Sequence, residues 1–244
     1  MVVFNAENHT YKNPETGRYY TSVSSLLKKY KEPFDSDFFA SRTAAKTGKT
    51  KEQVLEEWAA NNKQACDKGH TVHDIFESYI KTGEVKDEKY INEFKEIFNK
   101  KDYKNVNSEK IVYDDENEIA GTSDIIADVD DNYFDVLDFK TNKKFLFFNK
   151  YNKYLLHPVS HLQECQYNDY SLQLSLYAYL YSLVTGKKLR QIRILYHDGN
   201  KFHTYPVPYL YWEIKALIKN HGQKSISESK TNPTTVQSWE FWVS

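Results

Sequence analysis

Through the first hundred residues, apolar side chains recur at the three- and four-residue spacing of helices that bury one stripe. Tyr19, Tyr20 and Thr21 lead into Ser22-Val23-Ser24-Ser25-Leu26-Leu27, where a serine oxygen can accept from the free N–H groups of a first helical turn. A second helix is predicted from Asp37 to Ala45. Thr50-Lys51-Glu52-Gln53 has the capping-box pattern and opens a helix that turns Val54, Leu55 and Trp58 inward. Gly69 predicts a break or a close packing point. Beyond it Val72, Ile75, Phe76, Tyr79 and Ile80 keep the helical period until Lys81-Thr82-Gly83, and Tyr90, Phe94, Ile97 and Phe98 repeat it.

From Glu109 the period shortens. Lys110 to Tyr113, Ile119 to Val129 and Tyr133 to Phe139 are divided by acidic or Asn-containing turns, which predicts three strands as antiparallel neighbours. Phe145 to Tyr167 has no period, and loops of that length in a compact domain are usually functional or mobile. A helix follows from Tyr170 to about Thr185, stopped by Gly186. Next come a hairpin of Gln191 to Tyr196 and Lys201 to Val207 around Asp198-Gly199-Asn200, a last helix from Tyr209 to Asn220, and a Ser/Thr-rich tail from Ser225. The pattern predicts one α/β domain: a helical region over about 22–104, an α/β core over about 105–220 and a tail over 221–244.

Composition narrows the function classes. With 40% hydrophobic and 27% charged residues the chain is ordinary globular material. A net charge of −1 means that any contact with nucleic acid must come from local basic patches. Two cysteines, Cys66 and Cys165, exclude a four-cysteine iron–sulfur cluster and read as free thiols. No run approaches the ~18 apolar residues of a membrane span. The start has no basic segment followed by an apolar one, so the expectation is an intracellular protein, in a bacterium or a phage-infected cell, with no membrane partner. Gly48-Lys49-Thr50 is not a phosphate-binding loop, because the required upstream glycine is Thr43. His157, His161 and Cys165 lack a fourth zinc ligand, and Pro158 interrupts them. The loop that holds them also carries Lys150, Tyr151, Lys153 and Tyr154, which are available to backbone and bases.

The segment with chemistry is Gly121-Thr122-Ser123-Asp124 followed by Asp138-Phe139-Lys140-Thr141. Alternation along a strand puts Asp138 and Lys140 on one face and Leu137 and Phe139 on the other. In the preceding strand the same rule groups Ile119, Ser123, Ile125, Ala127 and Val129 on one face, leaving Thr122, Asp124 and Ile126 opposite. Two converging carboxylates repel unless a cation lies between them, and Mg²⁺ takes one or two carboxylates with waters and phosphate oxygens. Lys140 could orient a water or stabilise developing negative charge. An isolated Asp-x-Lys is more often an exposed ion pair.

Other motifs accompany it. Gly69-His70-Thr71-Val72-His73 with Glu77 lies upstream, and Gln173-Leu174-Ser175-Leu176-Tyr177 downstream puts an amide and a phenol on one helix face. Together with Glu109 these segments resemble, in order and spacing, the PD-(D/E)XK nuclease superfamily of the RecB-like exonuclease kind. Within it they are similar to the branch of mitochondrial genome maintenance exonucleases and phage exonucleases. The resemblance spans roughly residues 20–220.

It implies a restriction-endonuclease-like core, a central mixed sheet flanked by helices, preceded by a helical region. It also implies a DNA exonuclease preferring single-stranded ends and using one or two Mg²⁺ or Mn²⁺ ions without an iron–sulfur cluster. Carried over by position, the metal ligands are His73, Asp124, Asp138 and the Phe139 carbonyl, with Glu109 as a further neighbour. Lys140 is the catalytic lysine, Gln173 and Tyr177 support it, and Thr122, Thr141, Lys143, Lys144 and Tyr177 face DNA. Replication or recombination proteins are open as partners. The same core could serve a structure-specific endonuclease, or a binding and assembly module, which would be expected to have lost a carboxylate or the lysine.

Overall fold

The computed structural model describes residues 1–228, with side chains to residue 222. Ser22 caps α1 (Val23–Lys28) by accepting from the Ser25 amide, and Asp35 caps α2 (Ser36–Thr47). Thr50 and Gln53 form the expected capping box of α3 (Lys51–Thr82), a single helix of 32 residues. Gly69 does not break it. One glycine costs a helix about 1 kcal/mol, which the cap and the burial of Val72, Ile75, Phe76 and Ile80 outweigh. A Cβ at Gly69 would lie 3.8 Å from Thr141 Oγ1, an ordinary van der Waals contact, so the glycine marks neither a break nor a tight approach. α4 (Glu88–Ile97) lays Ile91 and Phe94 into the same apolar cluster.

Three short strands were not expected. β1 (Val3–Asn5), β2 (Thr10–Lys12) and β3 (Tyr19–Ser22) form an antiparallel meander, and β3 joins the main sheet in parallel with β5 (Ile119–Asp128). β4 (Asn105–Asp114), β5 and β6 (Tyr133–Lys140) are the antiparallel neighbours that the pattern predicts. α5 (Gln166–Thr185) then carries the chain to β7 (Lys188–His197), parallel to β6, and β8 (Phe202–Val207) completes the hairpin. The last helix, α6 (Tyr211–Glu228), runs past Asn220; the rest of the tail lies outside the described residues. The fold is thus a mixed α/β one. The sheet is covered by α1, α5 and α6 on one face and by α3 and α4 on the other. No helix among the described residues is long and apolar enough to cross a membrane.

Strict alternation fails in β4 and β5, and it fails at the same level in both. Ile119 packs with α1 and α5, but Ile125 and Ala127, of the same parity, pack with α3 and α4, while Ile126 packs with α5. The single face expected for Ile119, Ser123, Ile125 and Ala127 is therefore split. In β4, Val106 packs against the α3 side and Val112 against the α5 side. Between them Glu109 sits at φ 49°, a left-handed backbone that resets the alternation. Ser108 still pairs with Ile125 and Lys110 with Ser123, so Glu109 and Asp124 mark one shared crossover.

Gly121 belongs to the stretch before this crossover and faces α5. A Cβ there would stand 2.6 Å from Tyr177 Cε1 and 2.9 Å from Val23 Cγ2. Because both neighbours are buried, Gly121→Ala is expected to lower the unfolding free energy by about 1–3 kcal/mol. Urea denaturation measures this, and an unchanged midpoint would show that the Tyr177 ring can retreat.

Candidate metal centre

One edge of β5 is shared by two partners. β3 pairs with Ile119 and Ala120, and β6 with Ile125 to Asp128, which leaves 121–124 between the two ladders. The Asp124 carboxylate fills the end of this fork, its Oδ2 accepting from the Phe139 amide at 2.8 Å where a backbone carbonyl would otherwise stand. In an extended strand the N–H and C=O of one residue point to the same side. The Phe139 carbonyl therefore faces the gap that Asp124 occupies.

α3 and β4 bring the other groups. His73 Nδ1 lies 3.5 Å from Asp124 Oδ2 and 3.9 Å from Glu109 Oε1. One ligand atom from each of the three residues can be chosen so that all lie within 4.8 Å of one another. Burial opposes protonation of His73, but the carboxylates of Asp124 and Glu109 outweigh it and push the imidazole up to about 9. The left-handed backbone at Glu109 costs a non-glycine residue on the order of 1–3 kcal/mol, and strain of this kind concentrates at functional sites. Two carboxylates and an imidazole nitrogen make a donor set that could hold a divalent metal ion.

Asp138 and Lys140 share the α5 face of β6, as the alternation predicts, while Leu137 and Phe139 join the apolar cluster beneath α3. Asp138 Oδ2 lies 2.5 Å from Lys140 Nζ, with the carboxylate 2% and the lysine side chain 17% exposed. Burial, followed by the charge of Asp124, raises the Asp138 carboxyl, and Lys140 opposes the rise. Burial pulls the Lys140 ammonium down, and the charges of Asp138 and Asp124 outweigh it and raise it above the ordinary lysine value. The lysine ammonium also lies 4.6 Å from the centroid of the Tyr170 ring.

The fork therefore brings together His73, Glu109, Asp124, Asp138, Lys140 and the Phe139 backbone. Of these, His73, Glu109 and Asp124 offer ligand atoms within 4.8 Å of one another, and Asp138 pairs with Lys140 beside them. Gln173 Nε2 donates to the Tyr177 hydroxyl at 2.9 Å, and Tyr177 is buried under Gly121. Its ring packs beneath the fork, with 5% of the residue exposed. Thr122 shares a hydrogen bond with the Tyr11 hydroxyl at 2.8 Å. Thr141 is half-buried against Gly69, and Lys143 and Lys144 are exposed just beyond Lys140.

Two contributors escaped the sequence reading. Tyr170 lies three residues before Gln173 and so on the same face of α5, a spacing that could have found it. Tyr11 comes from a three-residue strand that gives no periodic signal. A cavity of about 480 Å³ opens beside the centre, lined by Lys81, Lys100, Lys104 and Lys110 together with Glu109. Of these, Lys81 pairs with Glu77 and Lys104 with Asp131.

No protein-family model and no curated protein matches the chain. Among solved structures it is similar to a protein named "Putative exonuclease" from Eubacterium rectale, at 14% identity and TM-score 0.42, with 93% of this chain and 86% of that one covered. It is similar also to a crystal structure named SSO0001, at 14% identity and TM-score 0.39, with 86% and 76% covered. Likenesses this distant leave the chemistry to be read from the side chains.

Asp138→Ala would strand a largely buried ammonium, and breaking such a pair costs about 3–5 kcal/mol. The loss is expected near the lower figure, since Lys140 keeps some solvent access, and Asp138→Ala with Lys140→Met is expected to recover most of it. Strictly additive losses in the double variant would show that the pair is not coupled. Glu109→Gly is expected to raise or hold the melting temperature, because relief of the left-handed strain exceeds the ~0.5–1 kcal/mol that glycine costs in unfolded-state entropy. A clear fall would mean that the Glu109 side chain itself stabilises the fold.

Proposed function

We propose that this chain is a divalent-metal-dependent nuclease with a PD-(D/E)XK core, hydrolysing phosphodiesters of DNA from single-stranded ends. The observation that carries the reading is the fork of β5, where one carboxylate, Asp124, is shared between a His/Glu pair on the α3 side and an Asp/Lys pair on the α5 side. An exposed ion-pair cluster, the bland alternative, would not bury Asp138 or strain Glu109.

His73, Glu109 and Asp124 would hold Mg²⁺ or Mn²⁺, with the Phe139 carbonyl and Asp138 at its margin. When bound, the ion supplies Lewis acidity at the phosphate and lowers the pKa of water. Lys140, raised by Asp138 beside it, would act as an electrostatic stabiliser and hydrogen-bond donor for phosphate oxygens. The Tyr170 ring, with its centroid 4.6 Å from the ammonium, would help to hold it in place. A metal held by His73 would need its imidazole neutral, so binding would release the proton that Asp124 and Glu109 hold there.

Linear and circular single-stranded DNA, incubated with Mg²⁺ or Mn²⁺, test the proposal. The linear form is expected to disappear and the circle to persist, with chelator stopping the reaction. Lys140→Met is expected to slow it by about 10²–10³. Mn²⁺ at a hundred times its dissociation constant is expected to add about 2.7 kcal/mol of stability, an effect lost in a His73→Ala and Glu109→Gln protein. Cut circles would make the enzyme an endonuclease, and metal binding without cleavage of either form would overturn the hydrolytic reading.

A further inference from the structure

The connection between β6 and α5, the 25 residues 141–165, carries one acidic side chain, Glu164 near its end, against four lysines, Lys143, Lys144, Lys150 and Lys153. On a protein of net charge −1 this is a strong local departure. None of the four lysines is ion-paired among the described residues. The stretch also shows its aromatic side chains to solvent: Phe148 is 68% and Tyr151 72% exposed, and Phe147 and Tyr154 are close to half. The Lys150 ammonium lies 4.8 Å from the centroid of the Tyr151 ring.

The segment is irregular but firmly held. Asn149 donates from its side chain to the Glu164 carbonyl at 2.8 Å and from its backbone to Gln163 Oε1 at 3.1 Å. The Tyr151 amide returns to Asn149 Oδ1 at 2.8 Å, and the Glu164 amide donates to the Lys153 carbonyl at 2.9 Å. Leu155 and Val159 anchor it in the core. A tight tip at 148–153 is thus pinned with its rings and ammonium groups outward, at no ordering cost when something binds. Its root is at the candidate centre: Lys143 and Lys144 follow Lys140 by three and four residues, at most about 14 Å along an extended chain.

We infer that this loop is a binding platform for single-stranded DNA, with unpaired bases stacking on Phe148 and Tyr151 and phosphates following Lys143, Lys144, Lys150 and Lys153 toward the fork. The inference deepens the hydrolytic reading by locating where its single strand is held, and it rests on that reading for where cleavage occurs. Charge selects a polyanion. The open aromatic faces select one whose bases are not already stacked in a duplex, since base–aromatic stacking accepts any unpaired base.

Fluorescence anisotropy of a labelled oligothymidylate, in chelator and again in Ca²⁺, tests the platform apart from catalysis. The wild-type chain is expected to bind the single strand at least tenfold more tightly than a duplex of equal length. Phe148→Ala with Tyr151→Ala is expected to weaken binding about tenfold or more. Each lysine changed to glutamine is expected to reduce the slope of log affinity against log salt by about 0.7. Circular dichroism melts establish that these surface variants stay folded. Equal affinity for duplex, variants that bind like wild type, or adsorption to anionic vesicles without oligonucleotide binding would each overturn the platform. Failure here with Mn²⁺ binding intact sinks the platform alone, whereas oligonucleotide binding without Mn²⁺ binding sinks the hydrolytic reading alone.

Discussion

Asp124 accepts a backbone N–H from Phe139 at the point where β5 leaves β6, and the rest of the centre is arranged around that one bond. A carboxylate that takes the place of a ladder carbonyl lies in the plane of the sheet, where it is reachable from both faces. His73 approaches it from α3, and Asp138 with Lys140 approach from the α5 side. An ordinary strand residue would show its side chain to one helical layer only. The crossover of alternation at Glu109 and Asp124 is what gives a single sheet access to both.

The electrostatics follow from this shared position. Three carboxylates and one ammonium lie around the fork with His73, and the shifts all report an excess of negative charge in a poorly hydrated place. The imidazole is pushed up by Asp124 and Glu109, Asp138 is raised by its burial, and Lys140 is kept charged against its own desolvation. A protonated His73 supplies positive charge among these carboxylates, beside the Lys140 ammonium.

How much of this could be read beforehand depended on how local the cause was. Asp138, Lys140, Leu137 and Phe139 sorted correctly because β6 keeps an unbroken register from Asp135 to Lys140, and the capping box of α3 was legible because four consecutive residues determine it. The split of Ile119 from Ile125 was not legible. It arises from a left-handed residue in the neighbouring strand, and a glutamate gives no sign of that conformation in sequence. The N-terminal strands escaped for a different reason: each buries little beyond one side chain, Tyr11 or Tyr20, and their pairing is long-range. Gly121 was visible as part of a motif, but its cause, the ring of Tyr177 on a helix more than fifty residues later, belongs to packing.

Tyr177 also shows why the motif is spread along α5. Its ring occupies the space that Gly121 leaves, and its hydroxyl is taken by Gln173, so this pair fixes the height of α5 over the fork. With that height fixed, Tyr170, seven residues earlier and so on the same helical face, comes down on Lys140. A lysine ammonium on a four-carbon stem is a flexible charge; between the Asp138 carboxylate and the Tyr170 ring it has little freedom left. The Gly and the Gln/Tyr pair are thus positioning devices for a lysine that neither of them touches, and their spacing is set by the turn of the helix.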